Sequence, residues 1–291
     1  MLRRRTLILE DGSRVVVAVY GANDAESTVV MVPGWKGTDL GLQALALQLT
    51  LSGLRVLILN FPGNGISPVS GAMDTSLSGL SSIVDRCMRQ FPAGERCVLV
   101  GQSFGATIAS AAIAKGNVTA SGLVLVSPQV SPERCNSDAS ENFPKRSRTL
   151  VGRGLTWLPD RVSGTIGRSW IVDECSTALL SRHGPAGFRR IRRASMAEKG
   201  LMPDARTAGA HLRTAATHGC LEFAAQVRVP ARIVAGQRDQ FSTLPELRAL
   251  TQAFPHGQLT IVEGAGHLAH HEDAGRVGQI VRERVLSLLS A

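Results

Sequence analysis

The sequence predicts an α/β fold: a mostly parallel sheet flanked by helices on both faces, with a mainly helical insertion. Three observations carry this. Short runs of Val, Leu and Ile alternate with longer stretches of helical periodicity, as strand–helix–strand crossovers require. The runs are apolar throughout rather than alternating with polar residues, which is the pattern of strands buried on both faces. The alternation fails between residues 128 and 229, a stretch rich in Arg, Gly, Ser and Pro that lies between two such runs.

The elements follow in order. Residues 6–9 and Arg14–Tyr20 flank Asp11-Gly12-Ser13, a hairpin signal. Residues 28–32 form a β run ended by Pro33-Gly34, and residues 40–51 an amphipathic helix closing near Gly53. Arg55–Asn60 is the next β run, stopped by Phe61-Pro62-Gly63. Leu77–Gln90 reads as a helix, 97–100 as a strand, 106–115 as a helix of small residues, and Gly122–Val126 as a strand closed by Ser127-Pro128. Beyond the insertion come a strand at 231–235, a helix at 244–254, a strand at 258–262 and a closing helix at Ala274–Leu289. The expected division is therefore a core of residues 1–127 and 230–291 and a cap or lid of residues 128–229, with a helical patch at 185–196. A cap between two core strands would cover the strand tips and shape a pocket.

Composition narrows the functional class. No apolar run reaches the roughly 18 residues of a membrane span, and the basic N-terminus meets Glu10 and Asp11 too soon to hold a signal-peptide core. A cytoplasmic protein without a membrane partner is expected. Five cysteines, Cys87, Cys97, Cys135, Cys175 and Cys220, are odd in number and lack C-x-x-C spacing. They read as free thiols rather than a disulfide framework or zinc site. The net charge of +9 raises nucleic-acid binding. Its distribution argues against it: residues 128–229 hold 16 Lys and Arg against 9 Asp and Glu, the remainder 16 against 14. No basic run is interleaved with aromatics for base stacking. The excess is either a solvated face or a funnel for an anionic substrate or carrier.

The chemistry starts at Gly101-Gln102-Ser103-Phe104-Gly105. Alone, G-x-S-x-G is weak: with Gly near a tenth of residues, roughly 0.2 matches arise by chance. Here it follows a strand and opens a helix, the context in which the serine sits on a tight turn with its hydroxyl exposed. A serine hydroxyl needs a base, and the base needs an orienting group. Asp239 follows a β run in Gly236-Gln237-Arg238-Asp239, and His267 follows another in Gly264-Ala265-Gly266-His267. Glu263 is a competing carboxylate, and His270 and His271 are competing bases. His183, His211, His218 and His256 are expected to be solvated or to line the pocket. Histidine spacings suggest no metal, and no cofactor is expected. Stabilising an oxyanion requires preorganised N–H donors. Phe104 N–H, at a helix N-terminus, is one candidate. The other lies in Pro33-Gly34-Trp35-Lys36-Gly37, where Pro33 has no N–H and Trp35 is the expected donor.

With G-Q-S-F-G, P-G-W-K-G, N-F-P-G-N-G-I-S at residues 60–67, G-Q-R-D and G-A-G-H, the chain resembles the α/β-hydrolase fold superfamily over about 190 residues on both sides of the insertion. The resemblance implies Ser103 as nucleophile, His267 as base, Asp239 as acid, and Trp35 and Phe104 as oxyanion donors. Pro33-Gly34 stands where many members have His-Gly, and Asn60 where they have Asp. A serine at 103 argues against the haloalkane dehalogenase and epoxide hydrolase relatives, which use an aspartate nucleophile. The expected activity is hydrolysis of an ester, thioester or related acyl compound, including C–C bonds of diketones, with a small, anionic or CoA- or carrier-bound substrate. Acyl transfer on the same residues is the alternative, and a non-hydrolytic, ligand-binding or lyase-type member of the fold is a third reading.

Overall fold

The computed structural model describes residues 2–10, 12–69, 74–90, 96–116, 118–131, 157–169 and 184–290. Eight strands form one sheet in the order β1-β2-β4-β3-β5-β6-β7-β8. They are β1 (Arg3–Ile8), β2 (Arg14–Tyr20), β3 (Ser27–Val32), β4 (Arg55–Asn60), β5 (Arg96–Gln102), β6 (Gly122–Val126), β7 (Ala231–Gly236) and β8 (Gly257–Val262). Pairing is antiparallel from β1 to β2 and from β2 to β4, and parallel from β4 onward. The carboxyl ends of β3, β5, β7 and β8 therefore share one edge.

The runs are apolar on both sides because both faces are covered. Val30, Val32, Leu57, Leu59 and Leu99 pack into one core cluster, while Val29, Met31, Val56, Ile58, Val98 and Val100 pack into a second. The first is closed by α2 (Leu77–Gln90) and α3 (Phe104–Ala114), through Leu80, Val84 and Ile108, and by α7 (Leu244–Ala253) through Leu247 and Leu250. The second is closed by α1 (Asp39–Thr50), through Leu42, Leu45 and Leu49, and by α9 (Ala274–Leu289) through Val277, Val281 and Val285. A short helix, α8 (Ala269–Glu272), precedes α9.

Between β6 and β7 the described residues contain α4 (Asp160–Gly167), α5 (Gly184–Glu198) and α6 (Ala205–Thr217). The expected helical patch at 185–196 falls inside α5. This segment is tied to the loops at the strand tips. Trp35 Nε1 donates to Ala208 O at 3.0 Å, Lys36 Nζ to Gly167 O at 2.8 Å, and Gly65 N to Leu201 O at 2.8 Å. The 60–67 stretch is itself a brace: Asn60 Oδ1 accepts Asp39 N–H at 2.8 Å, and Ser67 Oγ accepts Val16 N–H at 2.7 Å.

Cys87, Cys97 and Cys220 are free and buried, and burial pushes each thiol up to about 12, so none is poised as a nucleophile. Cys135, Cys175 and His183 lie outside the described residues. Among the described residues no helix is long and apolar enough to cross a membrane.

Candidate active site

β5 delivers its chain straight into the serine turn. Ser103 has φ 51° and ψ −119°, a conformation L-residues rarely adopt, and α3 begins at the next residue. Its N–H is fixed to Val126 O at 3.0 Å, which orients the turn against β6. The turn is tight enough that a Cβ on Gly101 would lie 2.5 Å from Ala106 Cα, and one on Gly105 would collide with Val32 O and Pro33 O. The glycines at both ends of the motif are what allow helix, turn and β3 to meet.

Asp239 and His267 reach the same spot from the tips of β7 and β8. Ser103 Oγ lies 2.9 Å from His267 Nε2, and His267 Nδ1 lies 2.9 and 3.1 Å from the two Asp239 oxygens. A carboxylate can only accept, so Nδ1 carries the proton and Nε2 presents its lone pair to the hydroxyl. Asp239 is held in turn by the N–H groups of Phe241 and Ser242, at 2.8 and 3.2 Å on Oδ1. Asp239 and His267 are both buried, and the Phe241 ring lies 4.6 Å from the imidazole. Of the competing groups, Glu263 is exposed. His270 and His271 line the adjoining cavity, whereas Ser103 Oγ is bonded to His267.

The loop after β3 runs beside the serine. Gly34 N–H donates to Gln102 Oε1 at 3.1 Å, and Gly37 N–H closes a turn onto Gly34 O at 3.0 Å. Gly34 is thereby engaged. Among the described residues the Trp35 and Phe104 N–H groups meet no protein acceptor. Gln102 was invisible to the motif, whose second position is unspecified, yet it holds the loop after β3 at Gly34.

Ser103, His267, Gln102 and Trp35 open onto a cavity of about 220 Å³. Its remaining wall includes Leu42, Phe241 and Leu268 from the core, and Ser195, Glu198 and Met202 from the inserted segment. The last three could not be read from the sequence, because that segment carries no recognisable motif. Arg189, Arg190, Arg192 and Arg193 of α5 are exposed on the outer surface, not on the cavity wall. His211 is buried with its ring 6.4 Å from Phe61, while His218 pairs with Glu222 at 2.9 Å.

Burial holds His211 and His271 down at about 4. Both stay neutral in the fold to about that pH, whereas the unfolded chain takes up protons below about 6.5. Their stabilising contribution is complete above about pH 6.5 and is lost as pH falls toward 4, on the order of 3 kcal/mol for each. The melting temperature should therefore drop between pH 7 and 4.5, and His211→Gln should flatten part of that slope. A melting temperature constant over the interval would refute this.

A family model described as alpha/beta hydrolase fold matches residues 27–274. Among curated proteins no significant match is found. Solved structures resemble the chain along nearly its whole length. One is an esterase from Exiguobacterium antarcticum, 13% identical with a TM-score of 0.74, the match covering 98% of this chain and 100% of that one. Another is a thermophilic esterase from Thermogutta terrifontis, 20% identical with a TM-score of 0.72, covering 99% of each. A bromoperoxidase from Bacillus anthracis is 14% identical with a TM-score of 0.74, covering 99% of this chain and 100% of that one. These likenesses carry the fold but not one reaction, since the named activities differ. The family model, which spans most of the chain from β3 to the start of α9, goes further: the chain belongs to the alpha/beta hydrolase fold family.

Proposed function

We propose that this chain hydrolyses an ester, thioester or related acyl compound through a covalent acyl-enzyme on Ser103. The observation that supports this reading best is the hydrogen-bonded series Ser103–His267–Asp239, 2.9 Å at each link, opening onto a cavity. In this reading His267 Nε2 takes the Ser103 proton as Oγ attacks the acyl carbonyl, and Asp239 stabilises the imidazolium. Trp35 and Phe104 N–H receive the oxyanion. The imidazolium then protonates the leaving group as the C–O or C–S bond breaks. Water, deprotonated by the same nitrogen, attacks the acyl-Ser103 carbonyl and frees the acid. The inserted segment acts as a cap that gives the pocket part of its wall.

A common acyl-enzyme has a kinetic signature. Esters sharing an acyl group but differing in leaving alcohol should divide their product between water and added methanol in one fixed ratio. A ratio that changed with the leaving group, or no turnover of any acyl ester or thioester, would overturn the proposal. The same ratio measures acyl transfer against hydrolysis. An anionic substrate would feel the outer arginines of α5 on approach. Its kcat/KM should then fall with added salt more steeply than that of a neutral ester, and equal slopes would remove this role.

A further inference from the structure

The cavity wall contains a carboxylate that the serine relay does not use. Glu198, the last residue of α5, lines the cavity beside Gly41 and Thr38. Its Oε2 accepts two hydrogen bonds from Thr38, from N–H at 3.1 Å and from Oγ1–H at 2.7 Å. Its Oε1 accepts none from the described residues and is not sealed from solvent. Space for this carboxylate depends on Gly41, where a Cβ would lie 2.8 Å from Oε1.

Among the described residues no donor is hydrogen-bonded to that oxygen, although the Lys36 charge acts on the carboxyl from nearby. The Lys36 ammonium is engaged by Gly167 O at 2.8 Å and lies 4.6 Å from the Trp35 ring centre. His270 and His271, also on the wall, are held neutral by burial. Burial also raises the Glu198 carboxyl above the usual range, Asp39 adding to the effect while the Thr38 bonds and the nearby Lys36 charge oppose it. A partly buried carboxylate with an unused acceptor oxygen facing the pocket gains when a donor of the substrate replaces water there. On a wall shared with the apolar side chains of Leu42, Met202, Phe241 and Leu268, it is also a polar group placed to set specificity.

We propose that Glu198 recognises a hydrogen-bond donor on the substrate, a hydroxyl or a protonated amine, and thereby selects acyl compounds that carry one. This rests on the acyl-hydrolysis reading of Ser103 and adds a substrate class to it. Glu198 is a specificity residue here, with no part in the bond-breaking steps.

The test uses acetate esters of four- to eight-carbon linear alcohols ending in methyl, hydroxyl or ammonium. Turnover is measured on the wild-type protein, and binding by calorimetry on Ser103→Ala. At the chain length that spans the pocket, a donor-ended ester should exceed its methyl-ended partner about tenfold or more in kcat/KM and in affinity. In Glu198→Gln the carboxamide oxygen can keep both Thr38 bonds while its NH₂ replaces the free acceptor. The ammonium preference should then vanish. The hydroxyl preference should survive in Glu198→Gln, whose NH₂ can donate to the hydroxyl oxygen, and vanish in Glu198→Leu. Equal binding and turnover of all three series, or an equal loss for all three in Glu198→Gln, would overturn the proposal and leave Glu198 an anchor of α5. Preferential binding without turnover would instead overturn the acyl-hydrolysis reading alone.

Discussion

Replacing Ser103 with Ala should lower kcat by about four to six orders of magnitude with little change in KM, because in the proposed mechanism its hydroxyl is the atom that becomes acylated. That corresponds to about 5–8 kcal/mol of barrier. His267→Ala should cost a similar factor, since Oγ keeps its proton without the nitrogen 2.9 Å away. The double variant should be no worse than either single one, because a relay broken once is fully broken. Asp239→Asn should cost somewhat less, about 10⁴ at most: the imidazole stays in place but loses the carboxylate that fixes its tautomer. Steady-state kinetics on one acyl ester would check all four. Losses that multiplied across the double variant would mean that the two residues act separately.

Gly105→Ala should be the most damaging single methyl added near the site. The new Cβ would run into Val32 O and Pro33 O, which are backbone atoms of β3 and its exit and cannot swing aside as a side chain could. The cost should exceed about 3 kcal/mol in stability, read by chemical denaturation. Because those carbonyls belong to the segment that leads to Trp35, activity should fall further than folding alone explains. Gly275→Ala is the matched control. It sits in the first turn of α9 with no atom within 4 Å of a new Cβ, and should be neutral or slightly stabilising. Equal effects of the two substitutions would remove the packing argument for the elbow.

Much of this architecture was legible because its signals are local. Val29 to Val32, Val56 to Leu59 and Leu123 to Val126 are continuous apolar runs because helices cover both faces. A turn residue after each run marks the strand end. Ser103, Asp239 and His267 were readable for the same reason, each lying just past such a run. Edges read less well. β1 begins at Arg3 rather than residue 6, since the first three arginines are largely exposed on an edge strand and carry no apolar pattern. α3 starts at Phe104, two residues before its small-residue stretch, because the Ser103 turn feeds directly into it. Gln102 and Glu198 escaped detection on other grounds. Their contacts are set by tertiary approach, Gln102 to a loop 68 positions earlier and Glu198 to Thr38 160 positions earlier, and no spacing rule reports that.

The central claim, that Ser103 is a nucleophile activated by His267 and Asp239, is tested most directly by reacting the protein with a fluorophosphonate and locating the adduct by peptide mass. One adduct per chain on the peptide bearing Ser103, absent from Ser103→Ala and strongly slowed in His267→Ala, is the expected result. An unlabelled wild-type protein, or equal labelling of Ser103→Ala, would contradict it.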